Sequence, residues 1–186
     1  MDEIVKAALK KWPNVPHCYG WLALDARGEW YMRDDRTQAA GPFPQVKGSR
    51  ILHDKLREFI HRNYAADADG SWFFQNGPQR VYVELEAAPW VWRLHADPAG
   101  APRIESHTGL AAHYRGAFLD EADRLFIATD LGLGLVHTLD MEAAAGAIES
   151  HAWALEKVPF ETLQARHAYR LSPAASHARA GDATPK

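Results

Sequence analysis

The chain has 186 residues, and with 47% of them apolar it is long enough to bury one substantial core. A net charge of -3 excludes a general attraction to nucleic acid or to an anionic membrane, and no apolar run approaches the roughly 18 residues of a membrane span. Its single cysteine, Cys18, excludes an intrachain disulfide framework and a cysteine-rich zinc cage. Acids at Asp2 and Glu3 stand where a secretory leader carries bases, which reads as a cytoplasmic protein.

Residues 2–12 place Ile4, Val5, Ala8, Leu9 and Trp12 on one helical stripe, which Pro13 and Pro16 stop. Tyr19–Asp25 and Glu29–Arg33 then predict a hairpin in which Leu22 and Leu24 pair with Met32 and Trp30. Its turn has Asp25 at the start and Gly28 three residues on, followed by Trp30 and Met32. The same signature returns as Asp67, Gly70, Trp72, Phe74 and as Asp120, Asp123, Leu125, Ile127. Asp can bond the backbone ahead of it, and Gly or Asp tolerates a left-handed backbone, so each copy suits a short hairpin loop. The copies are unevenly spaced, which argues for recurring turn chemistry and against a repeat architecture.

A polar connection over 34–48 leads to Ser49, an N-cap residue before the apolar positions Leu52, Leu56, Phe59 and Ile60 of a helix over 49–64. From Ser71 to His107 the chain reads as successive strands. Val81, Val83 and Leu85 alternate with Arg80, Tyr82, Glu84 and Glu86, and Trp90, Trp92 and Leu94 alternate with Val91, Arg93 and His95. Pairing these two runs as a hairpin buries the tryptophans and sets Glu84 opposite Arg93 and Tyr82 opposite His95. A weaker turn reads at Asp97–Gly100. Further strands fall near 115–120, 124–129 and 132–137, and Asp140 can cap a helix over 141–149. Together the elements predict an α+β fold: an antiparallel meandering sheet of β-hairpins with two or three packed helices. It forms a single domain over 1–171, followed by a disordered tail over 172–186.

Three segments carry a resemblance. They are the run Pro16 to Asp25 (Pro-His-Cys-Tyr-Gly-Trp-Leu-Ala-Leu-Asp), the block Trp72 to Val83 (Trp-Phe-Phe-Gln-Asn-Gly-Pro-Gln-Arg-Val-Tyr-Val), and Leu131 to Val136 (Leu-Gly-Leu-Gly-Leu-Val). Over about residues 16–170 the chain resembles a family of uncharacterised conserved proteins from Proteobacteria. The resemblance implies a cytoplasmic bacterial protein and carries over no catalytic residue.

The candidate sites follow from the solvent face of the 80–95 hairpin. Arg80, Tyr82, Glu84, Glu86, Arg93 and His95 would project from it together, with two carboxylates roughly 7 Å apart, the last five as acid/base groups or the whole as an ordinary cross-strand charge ladder. The helix at 49–64 offers a mildly basic face through Arg50 and Arg57, which could meet an anion or an acidic partner or simply pair with neighbours such as Asp54. Asp67-Ala-Asp69-Gly70 resembles the start of a calcium loop, but Trp72 and Pro78 occupy the positions that need Gly and Glu. His95, His107, His113 and His137 form no short ligand pair, so no metal is expected. Gly132-Leu-Gly134 lacks the third glycine of a dinucleotide loop and reads as a close backbone approach, so no cofactor is expected either. Cys18 leads into an apolar strand and reads as a small core residue. The first reading is therefore a non-enzymatic binding or protein-interaction domain, its partner a protein or a small ligand. The alternative is a small enzyme with its acid/base site on the 80–95 hairpin face, and the residues leave open whether any catalysis occurs.

Overall fold

The structure, a computed structural model, describes residues 1–97 and 100–182. Its contacts gather into two compact units. The first comprises Met1–Asp25, Glu29–Glu86 and the residues from Tyr169 onward; the second comprises Ala26–Gly28 and Ala87–Ala168. The fold is mixed α+β, with six α-helices and two sheets among the described residues.

In the first unit, α1 (Glu3–Lys11) follows the predicted stripe, yet only Val5 of it is buried, and Ile4 and Trp12 are exposed. Next come β1 (Cys18–Leu24), β2 (Trp30–Met32), α2 (Asp35–Ala40), β3 (Ser49–Arg50), α3 (Asp54–Arg62), β4 (Tyr64–Ala66), β5 (Trp72–Asn76) and β6 (Gln79–Leu85). The sheet order is β3-β2-β1-β6-β5-β4. The first hairpin has the expected register, Leu22 with Met32 and Leu24 with Trp30. Its centre departs from an antiparallel meander, because β1 and β6 run parallel. Leu24, Trp30, Ile60, Phe73, Phe74 and Val83 form the core.

The helix expected over 49–64 is shorter. The Ile51 N–H donates to the Trp30 carbonyl at 2.8 Å, holding Ser49 and Arg50 extended as the edge strand β3. Helix α3 starts at Asp54, with His53 in place of Ser49 at the N-cap. Arg50 therefore lies on a strand and Arg57 on the helix, so the basic helical face proposed for the pair does not form.

The second unit contains β7 (Trp90–Asp97), β8 (Gly100–Ser106), β9 (Ala111–Ala112), β10 (Tyr114–Leu119), β11 (Leu125–Thr129), β12 (Gly132–Val136), α4 (Met141–Glu149), β13 (Leu155–Lys157) and α5 (Phe160–Arg166). The sheet order is β13-β10-β11-β12-β7-β8-β9, with β7–β12 and β10–β13 parallel and the other pairs antiparallel. Trp90 and Trp92 are both buried, and their indole N–H groups donate to the Leu131 and Ile127 carbonyls, each at 2.8 Å. Gly134 lies against them so closely that a Cβ would collide with the Trp92 indole, which is the close approach expected of that glycine.

The 80–95 hairpin does not form. Strand β6 has β1 and β5 on its two edges, β7 has β12 and β8, and Pro89 between them has no N–H to close a tight turn. Nor does β6 keep a wet face: Tyr82, Val83, Glu84 and Leu85 are all buried. The segment expected to be a disordered tail supplies the reason. Pro173–Asp182 forms α6, which packs on β6 and β1. Residues 183–186 of that expected tail, and the centre of the turn read at Asp97–Gly100, lie outside the described residues. No helix among the described residues is long and apolar enough to cross a membrane.

Candidate ligand-binding cleft

Three stretches far apart in sequence meet at one end of the first unit. A register shift between Cys18 and Leu22 interrupts the parallel pairing of β1 with β6. It includes Gly20, whose φ of +77° suits a residue without a side chain. There the Tyr19 ring stacks on Tyr82, with centroids 4.6 Å apart and planes 6° from parallel. Tyr19 also stacks with His177 of α6, at 4.1 Å and 4°. His17 and Phe73 meet Tyr82 edge-on, both at 5.8 Å. Arg80 lies over the Phe73 ring at 4.4 Å.

The turn Asp67–Ser71 closes the other side. Asp67 Oδ1 accepts the Asp69 and Ser71 N–H groups at 3.0 and 2.9 Å, which spends that oxygen on the turn. Oδ2 accepts the Tyr82 hydroxyl at 3.0 Å and so orients the phenol. Burial pushes the Tyr82 pKa up, so it stays a neutral hydrogen-bond donor. Burial and the Arg80 charge push the His17 pKa down. Arg170 donates from its backbone N–H to the Gly70 carbonyl at 3.0 Å and from Nε to the Asp69 carbonyl at 2.9 Å. Among the described residues its terminal guanidinium nitrogens have no hydrogen-bond partner. Between these groups is a cleft of about 390 Å³, lined by Tyr19, Tyr82, His177, Arg170, Asp69 and Ser71 among others. Flat rings, a guanidinium and hydroxyls around one opening can stack a planar group and hold a charged substituent in place.

Of the residues singled out from sequence, Tyr82 belongs to this cleft. Glu84 lies two residues on, where Oε1 accepts the Ala174 N–H at 3.1 Å and caps the first turn of α6. Burial raises its pKa, against the opposing pull of hydrogen bonds from Ser172 and Ala174. Glu86 pairs with Lys47 at 3.1 Å; Lys47 also reaches the buried Asp25 at 3.0 Å, and Asp25 accepts the Tyr31 hydroxyl at 3.2 Å. Burial alone would lower the Lys47 pKa, but the bonds to Asp25 and Glu86 prevail and raise it.

Arg93 and His95 belong to the second unit. Arg93 grips Asp140 through Nε at 2.5 Å, and the same carboxylate accepts the Leu94 N–H at 3.2 Å. Asp140 thus holds the N-cap position of α4 without capping it. The His95 ring stands 3.8 Å from Glu105. Arg50 makes a two-point bond to Glu29 at 2.8 and 2.6 Å, and Arg57 pairs with Asp54 at 2.6 Å. Among the described residues no group of three or more His, Cys, Asp or Glu could hold a metal ion.

Sequence reasoning passed over Tyr19, Arg170 and His177 in this cleft. No local spacing links positions 19, 67–71, 82 and 170–177, and the signal present at Asp67 and Asp69 reads as a turn.

Residues 1–182 match the family DUF2944, described as "Protein of unknown function (DUF2946)". No curated protein matches the chain. Among solved structures, a DUF1285 family protein from Shewanella baltica OS155 is similar, with a TM-score of 0.45 and 14% identity over 67% of this chain and 90% of that one.

Proposed function

Because the chain belongs to the DUF2944 family, described only as of unknown function, its role is read from its own groups, and we propose a non-enzymatic binding domain that takes a small ligand in the first unit's cleft. The ligand class that fits is a planar ring bearing a carboxylate or phosphate. One observation carries this reading: the Tyr82–Tyr19–His177 stack beside the Arg170 guanidinium. Tyr19 has both faces covered by Tyr82 and His177, so the stack meets a ligand along its rim or at the outer face of His177, and the planar guanidinium offers two parallel donors to an anionic group. Glu84, Glu86, Arg93 and Tyr82 each have a protein partner, which favours binding over acid/base chemistry as their setting. We place the domain in the bacterial cytoplasm, supported by its lone cysteine and by the resemblance noted from the sequence.

The test is a titration of the full chain with nicotinate and with adenosine monophosphate, followed through its backbone amide resonances. Shifts gathered at Tyr19, Tyr82, Gly70 and Arg170, lost in Arg170→Gln, are the expected result. If neither probe moves those amides at millimolar concentration, the proposal fails.

A further inference from the structure

A second set of unspent groups lies in the second unit, independent of the cleft just described. Strand pairing sets His95 of β7 directly opposite Arg103 of β8. On the other edge of β8, Ile104 pairs with Ala112 and Glu105 with Ala111. His113 follows β9 by one residue, and it lines the same cleft as His95 and Arg103. Directly opposed residues project from the same face of a sheet. Three side chains able to carry positive charge thus gather in a row, from β7, from β8 and from the residue that follows β9.

Such a row costs stability when nothing neutralises it, since like charges directly opposite repel. An ordinary wet sheet face alternates signs across the row, and this one does not. Among the described residues Arg103 has no ion-pair or hydrogen-bond partner. The His95 Nε2 is enclosed and makes no hydrogen bond, with the Glu105 carboxylate 3.8 Å away and beyond hydrogen-bond reach. Arg93, opposite Glu105, is itself bonded to Asp140, so it does not tie up the Glu105 carboxylate. Two carboxylates do stand near. Glu105 lies on the cleft wall, and Asp130 accepts the His113 backbone N–H at 2.8 Å.

The row opens on a cleft of about 320 Å³ that also includes Tyr114 and Trp153. Those two rings stack with centroids 5.1 Å apart and planes 2° from parallel, and the Tyr114 hydroxyl is tied to the Ala154 carbonyl at 3.1 Å. Pro102 and Ala112 add further apolar wall. One side of the cleft is thus rich in donors and the other is apolar and rigid. That is the lining expected for an amphiphilic anion.

We propose that the His95–Arg103–His113 row and the Tyr114–Trp153 wall form a second binding site, for a small molecule with an anionic head and an apolar or aromatic body. Arg103 supplies the permanent charge and a forked pair of donors. The exposed imidazole of His113 donates beside it, and the His95 ring lines the cleft next to them. The head is a carboxylate or a phosphate, both of which this donor set satisfies.

The probes are phenylacetate, phenyl phosphate and inorganic phosphate, titrated into the full chain and followed through the imidazole C–H resonances. The expected result is saturable movement of the His95 and His113 signals by at least one phenyl probe. Binding at least tenfold weaker for inorganic phosphate assigns the apolar wall its part. A preference between the two phenyl probes distinguishes carboxylate from phosphate. Arg103→Gln should weaken the preferred probe at least tenfold without lowering the melting temperature, Arg103→Lys should restore part of the loss, and Arg170→Gln should have no effect. Absence of saturable movement with both phenyl probes, or unchanged affinity in Arg103→Gln, overturns the site. Because the first unit's cleft is read at Arg170, either site can fail without the other.

Discussion

The hairpin turns show how much a single side chain can decide. In each of three loops the leading Asp donates its backbone N–H to the carbonyl four positions on, and its Oδ1 accepts that residue's N–H: Asp25 with Glu29, Asp67 with Ser71, Asp120 with Arg124. The fourth loop residue takes a positive φ, 80° at Gly28, 78° at Gly70 and 56° at Asp123. Ser106 makes the same loop with its hydroxyl, accepting from Leu110 at 3.0 Å, with Gly109 at φ 86°. The three Asp copies were legible because everything that builds them is local. The Ser copy was not, because its side chain departs from the shared pattern while keeping the chemistry. The copies are not energetically equal. The Asp120 side chain is fully enclosed and bonds Arg124 Nε at 2.7 Å as well as two backbone N–H groups. Asp120→Ala should therefore cost about 2–3 kcal/mol and Ser106→Ala about 1 kcal/mol in urea unfolding. Equal losses would mean that the ion pair adds nothing to the turn.

Helix α6 shows why one misread element displaced the candidate site. Taken as a tail, it leaves a face of β6 in water, and Tyr82 and Glu84 become surface groups available for chemistry. Present as a helix, it buries both, and Glu84 becomes the acceptor for its first turn. Its low apolar content hid it, since Ala, Ser and His give little helical periodicity to read. The burial has a pH signature. Glu84 is raised above its ordinary value of 4.5, so between those two values folding takes up a proton. Its contribution to stability is best at the acid end of that window, falls as pH rises through it, and is level above. His17, His61 and His167, all lowered chiefly by burial, act oppositely and destabilise the fold as pH falls. The comparison of wild type with Glu84→Gln isolates the carboxyl, because glutamine keeps the acceptor oxygen without the charge. Melting temperatures across about pH 4 to 7.5 should show the variant gaining on wild type as pH rises. A constant difference between the two would remove Glu84 as a titrating group.

At the scale of the whole chain, the strands themselves were legible and their long-range pairing was not. Alternation and turn residues located β1, β2, β5, β6 and β10 to β12 closely, because each rests on a local signal. The parallel pairs β1–β6 and β7–β12 join segments far apart in sequence, and alternation along one strand does not name a partner on another. The same distance separates the C-terminal segment from the sheet it completes. Tyr169 is 4% exposed, the Leu171 carbonyl accepts the Leu85 N–H at 2.8 Å, and Arg170 bonds Gly70 and Asp69. This short stretch closes the first unit, and α6 then lies over it. Two truncations separate those contributions. Ending the chain after Ser172 removes α6, and with it the Ala174 bond to Glu84 and the His177 stack on Tyr19, and should cost about 1–2 kcal/mol. Ending it after Ala168 also removes the buried Tyr169 and the bond to Leu85, adding roughly 3–4 kcal/mol. That total approaches the low end of ordinary domain stability, so the shorter chain should lose amide protection at Leu85 and along β5 and β6. Hydrogen exchange reads the difference. If the chain ending at Ala168 keeps its β6 amides protected as fully as the chain ending at Ser172, the four residues between them do not close the sheet.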